Sequence, residues 1–470
     1  MFSPYGMEID KFIQECVDAH ITTISLQFKQ DEDDYEQGNE YSFNSGTLYY
    51  PSKITSYATF FTNTIPSVIK AAHEKGIKIK AWVPQFHDYQ AIQKNSEWQM
   101  IYQTKIGQTG PFTGSSDHEE YFVNPCNPDV QAYELSIIEE ILTNYEIDSI
   151  VLDWVRFDSN LMDMSTTSLE LFEKWCNDNG KEYINPINLN LDIEDDEGCE
   201  WDFLSDKWNP FRTSIISSYV TKVREVVNRV RPTCQLGLYC LDPLWDELGV
   251  DLSLFKNDID FVSPMAYFND FGEQPNWVYS EGGITDLVVQ KVIGSNAKVI
   301  PIFDKNWKDS EYEEIMKGLR TNYPQITGIG MFNYIAWTSE NFDTIKKVSE
   351  MQQIEEETTI ESTEKVSESQ SESEEITSEV QNETKEEKSE TEEITSSDVQ
   401  SGTEETKEEE KSLEITLDTE SEEIDNNDSS NDAIVIGCSV AAAVVVIVAV
   451  VVTTVVCCKR RAKESVDVSI

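Results

Sequence analysis

The sequence predicts an α/β head folded as a (β/α)8 TIM barrel that lacks its first strand at the N-terminus, followed by a disordered stalk and one transmembrane helix. Three observations carry this reading. β-Branched apolar runs alternate with amphipathic helical segments through residues 1–349, residues 350–432 are dominated by Glu, Ser and Thr, and residues 433–458 are apolar and uncharged. Strands alternating with helices in one domain imply a parallel sheet, closed or open, and the length and number of repeats favour the closed barrel.

The elements follow in order. Residues 10–19 have helical apolar spacing and 22–28 (TTISLQF) form a β-branched run. Residues 60–75 read as a helix closed by Gly76, and 77–83 (IKIKAWV) as the next strand. Behind the breaks at Pro125 and Pro128, residues 129–145 are an amphipathic helix that leads into the strand 149–155 (SIVLDWV). Helices are expected at 168–179 and at 212–230, the second ended by Pro232. Strands at 235–241, 259–266, 298–303 and 328–332 complete a set of seven, with a helix at 311–323 before the last. The stretch 121–124 is a candidate eighth strand.

The stalk cannot bury enough apolar area to offset its ordering entropy and is expected to stay extended. It repeats internally, EEITSEVQ at 374–381 recurring as EEITSSDVQ at 392–400, and no apolar heptad runs through it. Both N-x-S/T sequons, Asn382 and Asn427, fall there, which suits a glycosylated spacer. Residues 433–458 are long enough to span a hydrocarbon core of ~30 Å at ~1.5 Å per residue. Lys459, Arg460, Arg461 and Lys463 follow directly, while the preceding residues are acidic. The positive-inside rule then leaves residues 459–470 in the cytoplasm and the head outside, at the plasma membrane. Cys457 and Cys458 at the inner boundary are weak palmitoylation candidates.

The net charge is −52, and half of it lies in the stalk. So acidic a chain offers no basic footprint for phosphates, which argues against nucleic-acid binding. The head cysteines, Cys16, Cys126, Cys176, Cys199, Cys234 and Cys240, contain no C-x-x-C pair, so the sequence points to no metal or other cofactor. One or two disulfides are allowed outside the cell. The four histidines lie near no recognisable nucleophile motif, which argues against a Ser-His-Asp triad.

Polar and aromatic residues gather at the C-terminal ends of the strands: Trp82 and Pro84, then Asp153, Trp154 and Arg156, then Tyr239 and Asp242. Tyr267, Asp304, Asn333, Tyr334 and Trp337 continue the pattern. In a barrel these ends share one rim, where active sites are built. Aromatic rings that stack on sugar C–H faces, beside carboxylates that bind hydroxyls, point to carbohydrate as the partner.

Several segments resemble the glycosyl-hydrolase-like TIM-barrel families, long catalogued as domains of unknown function. They are 71–84 (AAHEKGIKIKAWVP), 124–130 (NPCNPDV), 148–157 (DSIVLDWVRF) and 260–267 (DFVSPMAY). The run 208–232, opened by Trp208, Phe211 and Arg212, and 46–53 (GTLYYPSK) fit as well. The resemblance covers nearly the whole head and implies a glycosidase barrel. In these families the first strand precedes the helix that begins here near Asp10, and 121–124 is a connecting segment. The chain also carries no leader, although the anchor orientation needs the head translocated. The sequence is therefore expected to begin downstream of the true N-terminus. Against the more distantly similar family 18 chitinases, Asp153 aligns with the last Asp of "GxDxDxE" and Val155 with its Glu, so a chitinase-type Glu is not expected there.

Glycoside hydrolysis usually needs two carboxyl groups flanking one bond, ~5–5.5 Å apart for retention and ~6.5–9.5 Å for inversion. Asp153 is the first choice, since an acid following SIVL at a strand end points into the rim. Its structural alternative is an ion pair with Arg156, and the resemblance favours the catalytic role. Asp304 after VIPIF and Asp242 after LGLYCL are the candidate partners, Asp304 slightly ahead. Arg156 would orient a carboxylate or bind hydroxyls. Trp82 and Trp154 contribute to the rim, and Tyr267 and Trp337 would stack the sugar. Two functions follow: a membrane-anchored surface glycoside hydrolase, or an inactive barrel kept as a carbohydrate-binding or adhesive head.

Overall fold

All seven runs read as barrel strands form, and they pair in chain order. The computed structural model describes residues 9–33, 42–59, 62–114, 119–193, 198–303, 308–326, 328–332 and 342–347. The strands are β1 (Thr23–Gln27), β2 (Lys78–Pro84), β3 (Ile101–Lys105), β4 (Gln108–Pro111), β5 (Ser149–Asp153), β6 (Gln235–Cys240) and β7 (Phe261–Pro264). The last apolar runs give β8 (Lys298–Val299), β9 (Ile302–Phe303) and β10 (Gly330–Met331). A parallel sheet runs β1-β2-β5-β6-β7-β8, and β9 pairs in parallel with β10. β8 and β9 are one run divided at Pro301, whose ring nitrogen has no N–H to donate. A bridge from Met265 to Ile302 carries the β7 edge across that break.

The sheet is rolled. Ser25 on β1 and Tyr239 on β6 share a hydroxyl–hydroxyl bond of 2.8 Å, although two strands lie between them. In a flat sheet that gap is roughly 14 Å, given ~4.8 Å per strand. Trp82 on β2 likewise meets the ring of Phe332, just beyond β10, at 6.1 Å between centroids. Inside the roll Trp82, Val151 and Phe261 pack with Tyr239, Ile300 and Phe332. A side chain at Gly237 would place its Cβ 2.1 Å from the Phe261 ring, so glycine leaves the room that ring fills.

The opposite strand faces, including Ile24, Leu26, Ile79, Ala81, Ile150, Leu152 and Val262, bury against helices in one core. Those helices are α1 (Ile9–Asp18), α2 (Thr64–Glu74), α3 (Tyr89–Lys94), α4 (Pro128–Asn144), α5 (Thr166–Asp178) and α6 (Trp201–Phe203), followed by α7 (Asn209–Val230), α8 (Leu252–Phe255), α9 (Ile284–Val292) and α10 (Asp309–Asn322). The start of α4 follows from its sequence. Pro128 sits where no N–H is needed, and the Asn127 side chain accepts from Asp129 N.

Two sequence expectations change here. Residues 121–124 form no barrel strand: Phe122 and Val123 make antiparallel bridges to His87 and Gln99, so the stretch is a connection. The six head cysteines are free thiols, and the disulfides allowed by sequence do not form. Burial holds the Cys16 and Cys234 thiols up at about 12, which keeps them protonated. The hairpin β3–β4 and helix α9 were not read from the sequence. Among the described residues no helix is long and apolar enough to cross a membrane. The stalk 350–432, the apolar segment 433–458 and the tail 459–470 lie outside the described residues.

Candidate active site

Strand alternation aims Asp153. On β5 Ile150 and Leu152 face the helices and Val151 faces inward, so Asp153 emerges at the inner rim. It is 7 % exposed, yet both oxygens have donors: Trp82 Nε1 reaches Oδ2 at 2.8 Å and Trp154 N reaches Oδ1 at 2.8 Å. Burial nevertheless lifts its pKa to about 6, against the pull of those two donors and of Arg156 and His87. The next residue, Trp154, adopts φ +53°, a left-handed conformation uncommon outside glycine. The ion pair between Asp153 and Arg156 does not form. Arg156 Nη1 instead donates to Asp158 Oδ1 at 2.8 Å, and its guanidinium lies 4.4 Å from the centre of the Trp154 ring.

A second carboxyl comes from the end of the first strand. Asp31, four residues past Gln27, is 6 % exposed and accepts from Gln27 Nε2 at 2.7 Å. Burial first, then the charges of Glu32 and Asp153, hold its pKa well above the carboxylate range. The backbone there is fixed by His87. Its Nδ1–H donates to the Asp31 carbonyl, its Nε2 lies 3.1 Å from Asp33 Oδ2, and its ring lies tilted against Trp154 with centroids 4.5 Å apart. One buried imidazole thus braces the loop bearing Asp31 and the residue that follows Asp153.

Beneath this rim lies a charge cluster with no solvent exposure. Lys29 Nζ contacts Glu134 Oε2 and Asp88 Oδ2, each at 2.7 Å, and donates to the Gln85 carbonyl at 3.1 Å. Burial opposes the Lys29 charge, but the two carboxylates outweigh it and its pKa is raised. Burial raises Glu134 as well, against the pull of Lys29. The same Asp88 caps α3 through Oδ1 and Ala91 N. Gly46, at φ +83°, passes so close that a Cβ would stand 1.9 Å from Asp88 Oδ1.

The C-terminal ends of the strands and the loops that follow them enclose a cavity of about 220 Å³. Of the residues chosen from sequence, Asp153, Asp242, Arg156, Trp82, Trp154 and Tyr267 all line it. Asp242 is half-buried and accepts from Leu244 N at 2.9 Å, and burial raises its pKa, with Glu273 adding to the effect. Asp304, Trp337, Asn382, Asn427, Cys457 and Cys458 lie outside the described residues. Asp31, Glu32 and Trp245, which also line the cavity, were not singled out from sequence. The signal was present, because QDEDD closely follows an apolar strand, as Asp153 and Asp242 do. Among the described residues no group of His, Cys, Asp and Glu is arranged to hold a metal ion. A buried acid beside further carboxyls, walled by Trp and Tyr, suits proton transfer at a sugar ring.

Comparison with solved structures agrees on the fold. The glycoside hydrolase domain of PgaB (BpsB) from Bordetella bronchiseptica is 15 % identical at a TM-score of 0.54, covering 72 % of this chain and 92 % of that one. The catalytic domain of a β-amylase from Paenibacillus polymyxa is 9 % identical at 0.50, covering 74 % and 95 %. At such identities the likeness is one of fold. A curated relative, an S-layer-related protein of Niallia circulans, is 33 % identical over 110 residues, which are 23 % of this chain and 7 % of that protein. The model of the DUF4015 family, described as "Putative glycosyl hydrolase domain", matches residues 8–294. With more than half of its length matched, and with the parallel α/β architecture of glycoside hydrolases, the chain belongs to that family.

Proposed function

We propose that this protein is a membrane-anchored, cell-surface glycoside hydrolase that cleaves a glycan with two rim carboxyls, one of them Asp153. The observation that carries the reading is the Asp153 environment: a buried acid, its pKa lifted to about 6, on a cavity walled by Trp82, Trp154 and Tyr267. Arg156 and Tyr267 hold the sugar. Asp242 and Asp304 are the partners expected from sequence, and Asp242 lines the same cavity. The anchor at 433–458, with the head outside and residues 459–470 in the cytoplasm, rests on the hydropathy and charge of the sequence.

The test is a glycan-library hydrolysis screen on the full chain, with Asp153→Asn as control. Turnover lost in D153N, by about 10²–10⁴-fold or more, is the expected result. Full activity in D153N on an identified glycan overturns the assignment. A second reading, a carbohydrate-binding head without catalysis, draws on the aromatic wall of Trp82, Trp154 and Tyr267 around the cavity. Binding of glycans by wild type without hydrolysis of any would favour it.

A further inference from the structure

The register of β1 and β2 bears on the identity of the second carboxyl. Gln27 and Trp82 are directly paired across these strands, and each sends its side-chain N–H to a different acid. Gln27 Nε2 holds Asp31 and Trp82 Nε1 holds Asp153, so two paired residues present two carboxyls to one cavity. Asp242 arrives from β6, beyond β5, and one of its oxygens is occupied by the turn it closes with Leu244 N.

The surrounding charges also separate the roles. Asp153 has an N–H on each oxygen, an arrangement that favours the charged form. Asp31 likewise has the Gln27 amide on Oδ1 and its own backbone N–H, and is buried to a similar degree, but it stands in the field of the acids Glu32 and Asp153, whereas Asp153 faces Arg156 and His87. With one proton between the two acids, Asp31 is the better place for it. Resting on the glycosidase reading above, we infer that Asp31 is the second catalytic carboxyl and the proton donor, with Asp153 the ionised partner. The groups that set this balance are Glu32 beside Asp31, His87 on the Asp31 carbonyl with Asp33 behind it, and Arg156 near Asp153. Tyr239 and Asp242 come from β6 and its loop, and the Lys29, Asp88 and Glu134 cluster lies below.

In the step assigned to Asp31, its carboxyl proton passes to the glycosidic oxygen. The bond from that oxygen to C1 breaks, its electron pair stays with the oxygen, and the aglycone leaves as a neutral alcohol. Asp31 becomes a carboxylate. The electron-poor C1 is satisfied through Asp153, which bonds to it or takes the proton of an attacking water. Water is the only co-reactant over the whole cycle.

A proton donor matters in proportion to how poor the leaving group is. The full chain, as wild type, D31N and D153N, is assayed on matched 4-nitrophenyl and 2,4-dinitrophenyl glycosides and on the glycan found by the screen. D31N is expected to lose about 10²–10⁴-fold on the glycan but only a few-fold on the dinitrophenyl glycoside, with the alkaline limb of its pH profile gone. D153N is expected to lose activity on all of them. D31N should also lack part of the protonated-carboxyl infrared band that wild type shows at neutral pH, a readout that needs no substrate. Full activity in D31N, or an equal loss on both leaving groups with an unchanged band, overturns the role of Asp31 alone. Wild type inert on every substrate overturns the hydrolase reading and this inference with it.

Discussion

Asp153 gives up hydration for two fixed donors, and the exchange has a measurable cost. Its folded pKa of about 6 lies above the ~3.9 of an unfolded aspartate, so the folded chain binds the proton more tightly. The stability penalty is therefore absent below about pH 4, grows between about 4 and 6, and is complete above that. Two pKa units amount to roughly 3 kcal/mol. The neutral side chain of D153N escapes this penalty while giving up the carboxylate's hydrogen bonds. At pH 7.5 D153N is expected to melt at or above the wild-type temperature despite its loss of turnover, and the advantage should vanish towards pH 4. A melting point several degrees below wild type at pH 7.5 would refute this account.

At the scale of elements, the Lys29 cluster joins the end of β1, the turn after β2, the start of α3 and the middle of α4. Replacing Lys29 by Met leaves two carboxyls facing each other without their cation. Breaking such a buried pair costs about 3–5 kcal/mol, read as a lower urea midpoint at unchanged slope. A K29M chain within 1 kcal/mol of wild type would show that the cluster relaxes instead. None of this is visible in the sequence, because Lys29 and Glu134 are 105 residues apart and nothing local marks either. The strands of the rolled sheet, by contrast, are legible from their apolar runs. Helix α9 is not, since ITDLVVQKV is short and rich in residues that suit a strand equally well. Asp153, Trp82 and Tyr267 could be read because a strand end marks each of them. Asp31 carries the same mark, but it sits in a run of acids that looks like any solvated loop.

The whole molecule has its charge divided between a folded head and an acidic tract ahead of the apolar segment. With the proposed orientation, protease added to intact cells should release the head. An antibody to residues 459–470 should then still detect a membrane-bound fragment once cells are opened. A head that survives in intact cells but is digested after lysis would reverse the topology.

The parallel sheet also sets a clock. No two neighbouring strands of the rolled sheet are joined by a short hairpin, and the charges under the rim meet across 105 residues. A ribosome adding ~5–20 residues per second needs roughly 5–20 s to deliver α4 after β1. Over that interval the apolar face of β1 lacks much of the core that will cover it, and loop closure must precede any long-range contact. The yield of native protein should therefore depend less on final stability than on what shields the nascent chain during those seconds.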